Sequence, residues 1–506
     1  MTNVLSYLEH SAERCPDKTA VIDPAGEITY AQLLKNTQAV GSALCRCIEP
    51  RQPVVVWMDK SISALTAFLG IVYAGGFYVY VSPDQPRTRL EQILSVAQPS
   101  AVITTENGAQ QWRAEGLPGE VLCYDALLST SIDPARLDAV RAQSCDTDPL
   151  YCNFTSGSTG VPKGVAVCHR SVIDFIGVFP ELFHITENDV LANQAPFDFD
   201  VSVKDIYSAL RTGATLVLVP KKYFSIVTQL LDYLCDNRVT TLIWAVSALC
   251  MVAQFRGFTY RVPETVNKVL FSGEQMPAKF LRQWQTYLPN AAYVNLYGPT
   301  EITCNCTYYR VDHAVEEGEI LPIGRPFPNE RVFLLDGTNR LVTQPDVQGE
   351  LCVAGTALAL GYWNAPEQTY NAFSLNPLNP HIPERIYRTG DLAYYGADGN
   401  LYFAGRKDFQ IKHMGHRIEL EEIESAVNGQ PGVERCCCVY DQAKSRLTAF
   451  YVGTPEPREL KKSLYELLPA YMIPNAMRRL DALPITANGK LDRRALLAEA
   501  GRKHHE

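Results

Sequence analysis

Residues 155–164 read Thr155-Ser156-Gly157-Ser158-Thr159-Gly160-Val161-Pro162-Lys163-Gly164, so four hydroxyl side chains, three glycines and a lysine fall within ten consecutive positions. Glycines let a backbone come close to an anion, and backbone N–H groups and hydroxyls donate to phosphate oxygens. Lys163 adds a positive charge. The chemistry this composition favours is the cradling of a polyphosphate. It is not a Walker A loop, which needs G-x-x-x-x-G-K-[ST]; the fifth residue after Gly157 is Pro162. A flexible surface loop could share the composition, so the spacing has to decide.

Four further segments carry groups of the same kind: Asn295-Leu296-Tyr297-Gly298-Pro299-Thr300-Glu301, Tyr387-Arg388-Thr389-Gly390-Asp391, Gly405-Arg406-Lys407-Asp408-Phe409-Gln410-Ile411-Lys412 and Asn488-Gly489-Lys490. Taken singly, Asp391 could cap a turn, Glu301 could be a solvated acid and Lys490 one surface lysine among many. Taken together they resemble, in order, the core motifs of the adenylate-forming superfamily of acyl-CoA synthetases, luciferases and nonribosomal-peptide adenylation domains. The match of Thr-Ser-Gly-Ser-Thr-Gly-x-Pro-Lys-Gly alone fixes nine positions, a coincidence on the order of 10⁻¹¹ per site at ordinary residue frequencies. The resemblance spans nearly the whole chain.

The resemblance implies ATP and Mg²⁺ as cofactors. Thr155, Ser156, Gly157, Ser158, Thr159, Gly160 and Lys163 would hold the β- and γ-phosphates, with Asn295, Tyr297 and Gly298 at the adenine. Thr300 would reach the α-phosphate, Glu301 would hold Mg²⁺, Asp391 would accept the ribose hydroxyls and Arg406 would lie near them. Asp408 would be a hinge and Lys490 the catalytic lysine between carboxylate and α-phosphate. Such an enzyme joins a carboxylate to AMP and then transfers the acyl group to a thiol. A carboxylic acid is already ionised at neutral pH, so the first step needs placement and charge stabilisation rather than a base.

Phe199-Asp200-Val201-Ser202-Val203-Lys204 resembles the start of the pocket in amino-acid-activating members, where the aspartate pairs with the substrate α-ammonium. Asp200 could instead cap the helix that follows it. The same resemblance lines the pocket with Val201, Lys204, Trp244, Leu270, Ser272, Leu296, Cys304 and Asn305, with Trp244 uncertain by one residue of register. Asp200 and Lys204 stand at i and i+4 and so share a helix face. Within the family the likeness runs towards stand-alone amino acid–carrier protein ligases of the D-alanine type, through Phe271-Ser272-Gly273-Glu274 and Glu419-Leu420-Glu421-Glu422-Ile423-Glu424. Two residues depart from that type: Ser272 replaces a cysteine, and Lys204 an apolar residue. A small neutral amino acid and an acidic one both remain open as substrate. The expected partner is a phosphopantetheinylated carrier protein, with Arg493 and Arg494 as candidate docking residues. A chain ending soon after Lys490 is expected of a free-standing enzyme. A CoA-thioester-forming synthetase and a non-catalytic ligand-binding homologue are the alternatives. Cys304 reads as packing rather than nucleophile, and His413 and His416 as surface residues of the hinge region.

The elements that must position these groups come next. Short Val-, Ile- and Tyr-rich runs at 54–57, 76–81, 101–104, 214–219, 240–243 and 268–271 read as buried strands. Helical periodicity fills 61–74, 87–96, 201–211 and 228–237. This alternation predicts an α/β fold: a large N-terminal domain of parallel-rich sheets with helices (1–407), which turns β-rich from about Arg331. A small, mobile α+β C-terminal domain (408–506) would contain helices at 419–427 and 457–468 and strands at 435–440 and 447–452. The 506 residues carry a net charge of −9, against a dedicated nucleic-acid or anionic-membrane binder. The longest apolar run, 242–253, is too short to span a bilayer, the N-terminus lacks a signal-peptide pattern, and 15 cysteines without a C-x-x-C pair speak against disulfides or zinc. A reducing cytoplasm with no stable membrane association is the resulting expectation.

Overall fold

The computed structural model of the chain describes residues 1–157, 160–485 and 491–501. Its contacts gather into two units. One contains Met1–Pro83, Ala97–Asn153 and Gly164–Lys407; the other contains Asp84–Val96, Phe154–Lys163 and Asp408–Glu506.

In the first unit, Lys268–Ser272 is flanked by Thr241–Ala245 and Ala292–Tyr297, and the parallel run continues through Val190–Asn193 and Thr215–Leu218 to Thr19–Asp23. Antiparallel strands close both edges to make nine. Side chains alternate across a strand, and the apolar residues sort accordingly. Ile243, Leu270 and Leu296 face one core, shared with helices Tyr30–Leu44, Ile62–Tyr73, His169–Leu182 and Val201–Thr212. Leu242, Trp244, Val269 and Phe271 face another, packed on Val227–Asp236, Val246–Gln254 and Ala278–Tyr287. Helix Ile62–Tyr73 is buried from Ala64 onwards. An all-round apolar helix needs neighbours on every side, and this one lies in the core that also takes Val54, Val56 and Tyr78 from a second, seven-stranded sheet. From Glu330 a third, antiparallel sheet follows, in which Arg385–Tyr395 pairs with Gly349–Gly355 and with Leu401–Arg406.

The second unit contains an antiparallel pair, Val433–Asp441 with Arg446–Gly453, joined in parallel by Ala476–Arg479. Helix Leu420–Asn428 packs on it through Ile423 and Val427. Cys436 and Cys438 face this core while Cys437 faces the opposite cluster, and all 15 cysteines are free.

Most elements lie within two residues of their expected bounds. One differs more: the helix expected over 457–468 ends at Leu464. Leu460, Leu464 and Leu468 keep helical spacing and are all buried, but Pro469 biases the preceding residue away from helix, and the chain turns early. The apolar run at 242–253 divides into strand Thr241–Ala245 and helix Val246–Gln254. Among the described residues, no helix is long and apolar enough to cross a membrane.

Candidate active site

Strand Ala292–Tyr297 ends in the turn Gly298-Pro299, and the chain folds back on itself. A Cβ at Gly298 would lie 2.5 Å from Asn305 Cα and 2.8 Å from Cys304 O, so only glycine admits this approach. Thr303 and Cys304 sit at φ 53° and 78°, a left-handed conformation that costs a non-glycine residue about 1–3 kcal/mol. Two anchors hold it: Thr303 Oγ1 donates to Ala357 O at 2.7 Å and Cys304 Sγ to Asp200 O at 2.9 Å. The strain thus places Cys304 and Asn305 beside the start of helix Val201–Thr212.

The nucleotide-type residues of this unit converge on Asp391, which is 2% exposed. Register pairs it with Arg406 on the adjacent strand. Arg406 donates to Asp391 Oδ1 and the Tyr297 hydroxyl to Oδ2. Burial, then the Asp391 charge, pushes the Tyr297 phenol well above its ordinary range, so it stays a donor. Asn295 Nδ2 donates to Pro322 O at 2.8 Å and holds the strand to the following loop. Glu301 is fully buried, with Oε1 accepting from the Tyr362 hydroxyl at 2.7 Å. Thr300 opens the same short 3₁₀ turn.

Asp200 precedes helix Val201–Thr212, and its side chain makes no capping hydrogen bond. One turn on, Lys204 is completely buried and donates from Nζ to Asn305 Oδ1 at 2.6 Å. Leu270, Ser272, Leu296 and Cys304 are all buried, with Leu270, Leu296 and Cys304 in the core that also receives Val203 and Tyr207 of this helix. Trp244 does not join them. It lies on the opposite face of its strand, packed against Phe224, and its indole N–H donates to Ala192 O at 2.8 Å. Ala245, paired with Ser272, lies on the other face of the strand from Trp244, because a slip of one residue reverses the face. Burial raises the Cys304 thiol well above its ordinary value, consistent with packing rather than nucleophilic chemistry.

Sequence reasoning missed a buried polar cluster behind the helix. Lys60 Nζ donates to the carbonyls of Asn193, Gln194 and Ala195 at 3.1–3.3 Å, and burial lowers its pKa to about 7. Asp205 accepts from Asn193 Nδ2 at 2.8 Å, and burial raises its pKa to about 7 against the pull of Lys204 and Lys60. The Tyr78 and Tyr207 hydroxyls meet at 3.2 Å, and Tyr78 stacks on Tyr151. Asp205, five residues after Asp200, was the only signal: an acid on a helix whose whole middle is buried.

In the second unit, Gly157 is held by its surroundings, since an added Cβ would meet Val161 O at 2.1 Å. Ser156 Oγ donates to Arg417 O at 2.6 Å and accepts from Glu419 N at 3.3 Å. Lys163 lies 3.8 Å from Glu419. Glu422 pairs with Arg89, both 4% exposed, and accepts from the Gly157 backbone N–H. Thr155 Oγ1 is buried without a hydrogen-bond partner. Two groups of the loop that suit an anion, the Gly157 N–H and the Lys163 ammonium, thus face carboxylates, while Ser156 donates to a carbonyl. Asp408 stands in an exposed turn and accepts from Gln410 N at 3.2 Å. Ser158, Thr159 and Lys490, each expected at the nucleotide, lie outside the described residues. Arg493 is bidentate to Glu424 at 2.6 and 3.0 Å and half-buried, while Arg494 is exposed. His413, expected at the surface, is buried against Tyr440, and His416 stacks on Tyr471 at 3.6 Å. Among the described residues, no group of three or more His, Cys, Asp or Glu is arranged to hold a metal.

Known proteins share this arrangement. The family model described as AMP-binding enzyme matches residues 8–363, and that of the AMP-binding enzyme C-terminal domain matches residues 422–490. Tyrocidine synthase 1 of Brevibacillus parabrevis is 32% identical over 98% of this chain but only 45% of its own length. Zwittermicin A synthase ZmaJ of Bacillus cereus is 32% identical over 100% of this chain and 97% of its own. Among solved structures, PA1221, an NRPS protein containing adenylation and PCP domains bound to a vinylsulfonamide inhibitor, superposes with TM-score 0.82 at 27% identity, over 98% of this chain and 84% of that one. The chain spans less than half the length of the first curated relatives it matches.

Proposed function

The chain belongs to the AMP-binding enzyme family, and we propose that it activates an amino acid with ATP and delivers it as a thioester to the pantetheine arm of a carrier protein. The observation that carries this reading is Asp200. Its side chain makes no capping bond to its helix, it stands one turn from the buried Lys204, and its carbonyl takes the Cys304 Sγ hydrogen bond next to the core that holds Leu270 and Leu296. A carboxylate beside apolar side chains interacts strongly with a cation, and the α-ammonium of an amino acid is one of the right size to meet it.

In the first half-reaction an oxygen of the substrate carboxylate attacks the α-phosphorus of ATP. The bond from that phosphorus to the bridging oxygen breaks, and pyrophosphate leaves with the electron pair. Asp391, held by Arg406 and Tyr297, accepts the ribose hydroxyls, Tyr297 lies against the adenine and Thr300 reaches the α-phosphate. Residues 155–163 take the outer phosphates, and Lys490 bridges the two reacting anions. In the second half-reaction a thiol sulfur attacks the acyl carbon, the acyl–phosphate bond breaks and AMP departs, while the thiol proton is released. Residues 408–506 act as a small domain that swings at Asp408 between the two steps, a motion able to limit turnover.

Mg²⁺ fits the residues present. This ion is usually held by one or two carboxylates together with substrate phosphates, and Glu301 offers one buried carboxylate, its Oε1 already oriented by Tyr362. When bound, the ion would neutralise charge on the phosphates.

ATP–pyrophosphate exchange with single amino acids tests the first step, and the mass gain of a phosphopantetheinylated carrier tests the second. Exchange supported by acetate or benzoate and by no amino acid would overturn the reading. CoA outcompeting a carrier protein as thiol acceptor would favour a CoA-thioester synthetase. Binding without exchange would favour a non-catalytic homologue. A small neutral substrate, D-alanine included, and an acidic one both fit Asp200; they differ at Lys204.

A further inference from the structure

We propose that the substrate is a short amino acid with a second, side-chain carboxylate, and that the Lys204 ammonium recognises it. This rests on the amino-acid reading above and narrows it.

Lys204 has no exposed surface, and its hydrogen-bond acceptor is a neutral amide, Asn305 Oδ1 at 2.6 Å. An ammonium carries three donors, and a buried one without a counter-charge is costly. Neighbouring groups compensate it poorly. The Cys304 thiol is held neutral by burial and gives its own hydrogen bond to Asp200 O. Asp205 takes its hydrogen bond from Asn193, has its carboxyl pKa raised to about 7 by burial, and is shared electrostatically with Lys60. Asp200, one turn away at the start of the same helix, acts on Lys204 as well.

Binding an α-ammonium to Asp200 changes that balance. The substrate engages a carboxylate that helps to offset Lys204 and brings an ammonium of its own. An alanine or serine turns its α-carboxylate to ATP and so adds a cation beside Lys204 with no second anion. A side-chain carboxylate restores neutrality and supplies acceptors for the unused Lys204 donors. A second group asks for the same chemistry: the Tyr151 hydroxyl is buried without a hydrogen-bond partner, in a place where the Asp200 charge acts on it. Asp200 and Lys204 stand one helical turn apart, a spacing of about 5–6 Å between Cβ atoms. That matches a ligand whose ammonium and second carboxylate are separated by a few carbons, as in aspartate or glutamate.

The test is ATP–pyrophosphate exchange by the full chain with D- and L-aspartate and glutamate, their amides asparagine and glutamine, and alanine and serine. The expected result is kcat/KM for one acid on the order of 100-fold above its own amide, the scale of one charged hydrogen-bonded contact. Lys204→Met should erase that ratio while leaving KM for ATP in place. If Lys204→Met fails to fold, Lys204→Gln and the wild-type acid-to-amide ratio still decide. Exchange confined to neutral amino acids, with the acids inert, overturns this inference and leaves amino-acid activation standing. Exchange with no amino acid at all overturns both.

Discussion

Asp391→Asn isolates how this site holds a nucleotide, because the swap keeps shape and removes charge. An ionised carboxylate offers about four acceptor positions. Arg406 takes one on Oδ1 and the Tyr297 hydroxyl one on Oδ2, which leaves about two for the 2′- and 3′-hydroxyls of the ribose. An asparagine must point its oxygen at Arg406, which can only donate. Its NH₂ then faces Tyr297, where a ribose hydroxyl also seeks an acceptor. One ribose bond is lost and the other becomes neutral. Hydrogen bonds to charged groups contribute about 1.5–3 kcal/mol each and neutral ones about 1, so the change is about 2–5 kcal/mol, or roughly 30- to 5,000-fold in kcat/KM for ATP. The ribose lies away from the reacting phosphorus, so KM should absorb most of it and kcat little.

Exchange at saturating amino acid and varied ATP measures this, and 2′-deoxy-ATP supplies the internal control. Wild type should discriminate against the deoxynucleotide, and Asp391→Asn should do so much less, since the missing hydroxyl has lost its acceptor. Equal discrimination by both proteins would show that the carboxylate does not contact the ribose, and the assignment of Asp391 would fail.

Other consequences are equally direct. Asp200→Ala should lower exchange by about 100-fold or more through loss of a charged contact, and should lower the melting temperature as well, because buried Lys204 loses an anion that acts on it; full activity would remove the basis of the amino-acid reading. Gly157→Ala drives a Cβ to within 2.1 Å of Val161 O, so the phosphate loop must shift, and KM for ATP should rise while the amino-acid profile holds. His169, 3% exposed, has its pKa lowered from 6.5 to about 4, first by burial and then by Arg141. A depressed folded-state value means the unfolded chain binds the extra proton first, so stability falls as pH drops from 6.5 towards 4, by about 3 kcal/mol at 1.36 kcal/mol per pH unit. Urea melts between pH 7.5 and 4 should show this slope in wild type and a shallower one in His169→Asn, which keeps an acceptor for the Val4 N–H but does not titrate.

The fold was largely legible because its signals are local. Strands such as 101–104 are bounded by polar residues, and a buried parallel strand reads as an unbroken apolar run. At the candidate site, what the sequence made legible was local backbone constraint: Gly298 permits an approach that any Cβ would block. Trp244 marks where that legibility ends. Within a fully apolar strand both faces look alike, so the sequence does not say which of Trp244 and Ala245 points to the pocket. Lys60, Asn193, Tyr151 and Asp205 were illegible for another reason. They come from separate stretches of chain, and their meaning arises only from meeting in one buried space.

That meeting bears on why a pocket would keep so many charges out of water. Breaking one partner of a buried charged set is far costlier than burying none, about 3–5 kcal/mol, so each member constrains the others. Lys60 is held by three carbonyls at the end of strand Val190–Asn193, and Asp205 is tied through Asn193 to the same strand. The helix bearing Asp200 and Lys204 is therefore fixed in rotation by polar bonds as well as by packing. A helix that must present two opposite charges to one small ligand gains from this rigidity, since a turn of even one residue would move Lys204 away from Asn305. Lys60→Met separates the support from the recognition: it should lower the melting temperature and leave the acid-to-amide ratio intact. A ratio that collapses along with stability would show instead that the helix turns once Lys60 lets go, and that support and recognition are one device.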